Sequence, residues 1–322
     1  MEKIKTLTFT AEEFLQSLGY GGKLYSLLNN KYVFRGHASE KWDLLPTALR
    51  KDAFKHSFFS DEHQTSSYTS EKAPDNEYLQ ITNEILVLRD FFEKCDKYGL
   101  SVPEVKRLRD SIFLTVPKDL ILDYEEWIPA DFYELVSLAQ HYGVPTRLLD
   151  WSYDLLVALY FAISGVEHLD KEEHSDNIVI WALDSRLADF VYYPASPLRL
   201  IRPRYDGNEN IIAQKGLFSF WSVMKGVKPG TTKFELSPTN REPLDKLIQE
   251  QFQEGDKPLM YCIKISNNNL ELLYDYLKHH HVEAATIYPG YKGIIKSIME
   301  HQSFMSVAHE KRKRNKNNFS IS

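Results

Sequence analysis

The chain has 322 residues, 43% apolar and 26% charged, with a net charge of -6 from 39 basic and 45 acidic side chains, a composition that suits a globular protein with a substantial core. The acidic balance gives no global drive toward nucleic acid. No apolar run approaches the ~20 residues that span a bilayer, and MEKIKTLTFT lacks the apolar core of a secretion signal, so a cytoplasmic protein without membrane association is expected. Cys95 and Cys262 stand in unrelated contexts, which argues against a disulfide framework and a zinc ribbon.

In chain order, Thr10 with Glu13 three residues on, then Phe14, Leu15 and Leu18, signals a capped helix. Tyr32, Val33 and Phe34 read as a strand that ends in Arg35-Gly36-His37, with Trp42, Leu44, Leu45 and Pro46 behind it. An arginine at the end of an apolar strand, next to a glycine that admits close backbone approach, suits a ligand-facing edge; the competing reading buries Arg35 against Asp150 to pin the core. From about Asp52 to Asp75 the chain turns polar around Ser66, Ser67, Thr69 and Ser70, an exposed loop. Glu77 to Leu122 is helix-like, with Leu79, Ile81, Ile85, Leu86, Leu88 and Phe92, an insertion that packs over the core or forms a lid.

The stretch Leu138 to Ala162 organises the rest. Asp131 is expected to cap a helix with Glu134 three residues on, along which Phe132, Leu135, Val136, Ala139 and Tyr142 recur at helical spacing until Gly143 stops it. The turn Val144-Pro145-Thr146-Arg147 cannot continue that helix. A second helix, apolar almost all round, starts near Ser152 and runs through Tyr160, Phe161 and Ala162. Gln140, His141, Thr146, Arg147, Asp150 and Trp151 therefore lie near the centre of the protein, where ionic groups must be paired or functional.

Beyond it, Asn177 to Leu183 and Leu259 to Ile265 read as buried strands. Pro203, Asp206, Gly207 and Asn208 mark a loop between them, from which Ile211, Ile212, Leu217, Phe218 and Phe220 return to the core. A helix from about Asn268 to His280, a strand from Glu283 to Pro289 and a helix after Gly290 complete the order. The expected class is α+β, a central mixed β-sheet with packed helices and a helical insertion over about 50–125. One domain over 1–305 is followed by a solvated, disordered tail, 306–322, basic through Lys311, Arg312, Lys313, Arg314 and Lys316. No G-x-G-x-x-G or P-loop pattern occurs.

Each reactive residue has a structural competitor. Arg147 and Asp150 form a structural ion pair or cap, or line a site. His141 is a general base or a helix-end histidine, and Gln214, with a glycine two residues on, binds a ligand or closes a turn. Glu283 is a strand-edge carboxylate or a site residue. His279, His280 and His281 point in different directions on a helix, so no metal is expected. Several polar groups at the joints of apolar elements are costly to bury together, and a shared pocket around Arg35 and 140–151 accounts for them.

Phe34-Arg35-Gly36 with Trp42, Leu45 and Pro46, then HYGVPTRLLDW through ALYFA, then NIIAQKGLF from Asn210 to Phe218, and Tyr288-Pro289 with Gly293, resemble the FRG domain family over roughly residues 30–300. YPGYKG departs from the more acidic last element associated with that family. A second resemblance is to ADP-ribosyltransferases: Tyr32 to Gly36 looks like their first strand, Tyr160-Phe161-Ala162 is similar to a Tyr-Phe-Ala of poly-ADP-ribosylating members, and Glu283 matches their late glutamate. This resemblance implies an ADP-ribosyltransferase-like fold and NAD as substrate. Arg35, beside Gly36, would anchor its ribose or phosphate, Tyr142 or Trp151 would stack on nicotinamide, and Glu283 would stabilise the oxocarbenium-like transition state. Thr146, Arg147, Asp150, Tyr160 and Gln214 complete the expected binding set.

Three function classes follow. The first is an NAD-consuming enzyme, transferring ADP-ribose to a protein or nucleic-acid acceptor or hydrolysing NAD, as a toxin or anti-phage effector. The second is a nucleotide- or nucleic-acid-acting enzyme such as a nuclease, using His141, Asp150 and the basic tail. The third is a non-catalytic ligand-sensing module. The oligomeric state is left open.

Overall fold

The computed structural model describes residues 2–28, 31–51, 53–54, 77–109, 126–189, 196–204, 209–224, 238–253, 255 and 257–319. Its strands are β1 (Ile4–Phe9), β2 (Tyr32–His37), β3 (Glu126–Trp127), β4 (Leu149–Ser152), β5 (Asn177–Asp184), β6 (Leu198–Ile201), β7 (Gly216–Trp221), β8 (Val223–Met224) and β9 (Met260–Ser266). Its helices are α1 (Ala11–Leu18), α2 (Glu77–Lys97), α3 (Lys106–Arg109), α4 (Tyr133–His141), α5 (Leu155–Ser164), α6 (Glu209–Gln214), α7 (Leu244–Gln251), α8 (Leu270–His279), α9 (Ala284–Ile287) and α10 (Tyr291–Phe319). Seven strands form one mixed sheet in the order β1-β9-β5-β2-β4-β7-β6, antiparallel at every junction except the parallel pair of β1 and β9. This is the expected α+β class. No helix among the described residues is long and apolar enough to cross a membrane.

Alternation along the strands divides the core. Phe34, Ile178, Ile180, Ala182, Ile263 and Ile265 pack with α1, α5 and α8 on one face. Val33, Leu149, Trp151, Leu183, Leu217 and Met260 pack with Leu244 and Ile248 of α7 on the other. A third cluster sets α2 and α4 against Ile201, Phe218 and Phe220.

Local chemistry explains the principal elements. Thr10 accepts from the Glu13 amide at 3.2 Å and Glu13 accepts from the Thr10 amide at 2.9 Å, the reciprocal box expected for α1. Gly143, at φ 86°, ends α4 in a left-handed turn: its amide reaches the Gln140 carbonyl at 2.9 Å, and the Val144 amide reaches that of Ala139 at 3.0 Å. Gly36 lies beneath α5, where a Cβ would stand 1.9 Å from the Ala158 carbonyl oxygen. Only glycine lets strand and helix approach so closely.

Several expectations are corrected. Glu283 to Pro289 is not a strand: Glu283 and Thr286 cap each other, and residues 284–287 form α9. The second central helix does not start near Ser152. Leu149–Ser152 pairs with β7 as β4, and α5 begins after Asp154, whose carboxylate accepts from the Leu156 amide at 2.8 Å. Asp131 does not cap α4; it lies 3.6 Å from Arg107. β1 was unforeseen, and Ile212 is exposed rather than in the core. The helix from Glu77 ends at Lys97. Residues 55–76 and 110–125, including the polar loop around Ser66 to Ser70 and the rest of the insertion, lie outside the described residues, as do Asp206, Gly207 and Asn208. α10 continues helically to Phe319, across the residues read as a tail.

Candidate functional site

The site forms where β2 and β4 part. These strands share the single bridge Phe34↔Ser152, while β2 continues along β5 and β4 along β7. Arg35 spans the opening. Its Nη1 donates to the Asp150 carbonyl at 2.9 Å and to the Asp150 carboxylate at 3.1 Å, and its Nε donates to His37 Nε2 at 3.0 Å.

The turn after α4 fixes the other side of Asp150. Thr146 Oγ1 accepts from the Leu148 amide at 3.2 Å and donates to Gln140 Oε1 in a short hydrogen bond. With its oxygen held there, Gln140 presents Nε2 to Asp150 Oδ1 at 3.0 Å and to the Leu148 carbonyl at 3.3 Å. Thr146, Gln140, Asp150, Arg35 and His37 therefore form one hydrogen-bonded chain. Its central carboxylate is 59% exposed, whereas the Arg35 side chain is 19% exposed.

The electrostatics follow from burial. His37 is buried and accepts from Arg35, so it is neutral; burial, then Arg35, depress its pKa to about 3. His141 is half-buried and its pKa is lowered by burial, with Asp150 opposing, which leaves a neutral imidazole in the electrostatic reach of that carboxylate. Arg50 lies near enough to Arg35 to feel it: its pKa is lowered by burial first and by Arg35 next. Sequence reasoning passed over Arg50, Gln140's orienting role and His37. The Arg35-Gly36-His37 spacing, which sets residues 35 and 37 on one side of the strand, was the available signal for His37.

Other expected residues lie elsewhere. Arg147 is buried with both Glu84 oxygens at 2.8 and 2.9 Å from its Nε and Glu77 in a short contact with Nη2; burial opposes its charge, but Glu84 and Glu77 outweigh it and its pKa is raised. It therefore ties the turn to α2. Trp151 is buried on the α7 face and donates to Ser219 Oγ at 2.7 Å. Tyr160 is buried under α10 and donates to Glu300 at 3.0 Å. Tyr142 is exposed beside the His141 ring. Gln214 offers its backbone carbonyl to Ser152 Oγ at 2.8 Å, and its side chain donates to the Ile287 carbonyl at 3.5 Å. The Glu283 carboxylate accepts from Ser297 Oγ at 2.5 Å at the start of α9. His279 and His280 each donate back to a carbonyl of their own helix, at 2.7 and 2.8 Å.

Residues 30–171 match the family model of the FRG domain. No curated protein and no solved structure matches the chain.

Proposed function

This chain carries an FRG domain, and from the site within that domain we infer an NAD-consuming enzyme that breaks the bond between nicotinamide and ribose. The observation that supports this most strongly is the Asp150 carboxylate, exposed to an incoming ligand yet fixed by one donor on each oxygen, Arg35 on one and Gln140 on the other. A positioned carboxylate stabilises the positive charge that develops on ribose as the glycosidic bond lengthens. Asp150 thus takes the role the sequence resemblance gave to Glu283.

In this reaction nicotinamide leaves with the electron pair of the C1′–N bond. The ribosyl cation is captured by an oxygen of water or of an acceptor. His141, neutral beside Asp150, takes the proton released. Nη2 of Arg35 and the Nη groups of Arg50 make no hydrogen bond among the described residues and suit the diphosphate. Depletion of NAD would give such an enzyme the effect of a toxin or an anti-phage effector.

The test is release of nicotinamide from NAD by the purified protein, with and without cell lysate as a source of acceptors. Asp150→Asn, which keeps an acceptor for Arg35, is expected to abolish release, and Glu283→Gln to retain it. Absence of release in every condition, or the reverse ranking of the two variants, overturns the reading.

A further inference from the structure

A second concavity lies on the α7 face of the sheet, over β9 and β5. It measures about 310 Å³, within the range of small-molecule sites, and is lined by Trp181 and Lys264 from the strands, Trp42 and Asp43 from the segment after β2, and Asp245 from α7. Alternation explains its floor: Trp181 and Lys264 point to the face opposite Ile180 and Ile263, which belong to the core under α5 and α8.

Its charges do not balance. Lys264 Nζ pairs with Glu40 at 2.8 Å, and Glu40 also accepts from Asn177 at 3.0 Å, so that lining pair is satisfied. Asp43 and Asp245 have no side-chain partner among the described residues, and they repel each other; burial above all, with Asp43 adding, raises the Asp245 pKa. Asp43 is exposed and within electrostatic reach of Arg50, and Asp245 accepts from backbone amides at the start of α7, so the lining offers two carboxylates not paired with its lysine beside two indoles. The Trp181 N–H is sealed from solvent and has no acceptor among the described residues.

We propose that this cavity binds an organic cation of the guanidinium class, its flat face against tryptophan and its N–H groups on Asp43 and Asp245. Guanidinium is the cation that stacks on an indole while donating in a fork to carboxylates, and its weak hydration lowers the cost of entry. The ligand is a free guanidino compound or the arginine side chain of a peptide. The proposal is independent of NAD chemistry at Arg35.

Tryptophan fluorescence of the full chain, titrated with agmatine and with Nα-acetyl-arginine methylamide, tests it. Saturable quenching by agmatine alone assigns a free compound; quenching by the amide, with or without agmatine, assigns a site that accepts a peptide arginine. Asp43→Asn and Asp245→Asn, with unchanged melting, are each expected to weaken binding roughly tenfold or more, and Trp181→Phe to reduce the signal. Absence of saturation by both probes at millimolar concentration overturns the proposal. So does binding by both Asn variants as tight as that of the wild type, which would mark the quenching as attraction to the acidic surface at large.

Discussion

Arg35 Nη1 donates to both the backbone carbonyl and the carboxylate of Asp150, at 2.9 and 3.1 Å, at the point where β2 and β4 cease to pair. The carbonyl contact substitutes for a missing ladder bond in the middle of the sheet, and the carboxylate contact orients the group offered to solvent. Structural and functional readings of Arg35 are therefore compatible, and substitution separates them. Arg35→Ala removes both contacts and the donor to His37, and is expected to cost about 2–3 kcal/mol in urea unfolding. Asp150→Asn keeps the carbonyl and an amide oxygen, and because the pair is largely exposed on the Asp150 side it is expected to cost under about 1 kcal/mol. Equal losses in the two variants would show that the carboxylate, and not the carbonyl, holds the strands together.

His37 makes the same network sensitive to acid. Its folded pKa of about 3, depressed by burial and then by Arg35, lies below the ~6.5 of an unfolded histidine, so the unfolded chain takes up the proton first as pH falls. The stability contributed by this group is complete above about pH 6.5 and is lost progressively as pH falls toward 3, by about 1.4 kcal/mol per pH unit in that window. Between pH 7 and pH 5 this amounts to about 2 kcal/mol. His37→Gln offers Arg35 an acceptor that does not titrate, and its unfolding free energy is expected to fall by that much less over the same interval. Parallel pH profiles for the two proteins would remove His37 as the acid-sensitive group.

The sequence made the strand at Tyr32, the helix cap at Thr10 and the strands at 177 and 259 legible because each is written in local alternation or capping chemistry. β1 escaped notice because only its last residue, Phe9, is buried, so it lacks an apolar signature and is held by pairing with β9, some 250 residues away in sequence. Residues 284–287 misled because β-branched and small residues read as strand, while the cap between Glu283 and Thr286 decides for helix. Around Arg35, the meeting with Asp150, Gln140 and Thr146 was anticipated from clustering at the joints of apolar elements. The partners of Arg147 were not, since nothing near it in sequence points to Glu77 and Glu84.

Two glycines of the central motifs are required for different reasons, and alanine substitution distinguishes them. At Gly36 a Cβ would meet backbone atoms of α5, 1.9 Å from the Ala158 oxygen and 2.8 Å from the Ala162 nitrogen, so relief demands displacement of the helix. Gly36→Ala is expected to cost about 3 kcal/mol or more, or to abolish soluble expression. At Gly143 nothing stands within 4 Å of the added carbon, and the only penalty is a φ of 86°. Gly143→Ala is therefore expected to cost about 1–2 kcal/mol, and thermal unfolding of the two variants side by side gives the ranking. A Gly36→Ala protein as stable as Gly143→Ala would mean that α5 has room to move off the strand.

Arg147 binds α2 to the turn that builds the site, and its removal tests whether that helix is an integral part of the domain. The guanidinium is 3% exposed and faces two carboxylates that are themselves 3% and 4% exposed. Glu84 also accepts from Gln80 at 2.8 Å and from the Trp127 indole at 2.6 Å, so the charges sit in a saturated network. Arg147→Met fills similar volume but leaves Glu77 and Glu84 buried without a cation, and a loss of about 3–5 kcal/mol is expected. Adding Glu77→Gln and Glu84→Gln removes the uncompensated charge, so the triple variant is expected to recover a measurable part of that loss in denaturant unfolding. If Arg147→Met unfolds as the wild type does while hydrogen exchange speeds up only along α2, the helix is a separately opening layer. If the whole sheet loses protection with it, α2 and the Thr146 turn are one cooperative unit, and the geometry around Asp150 depends on both.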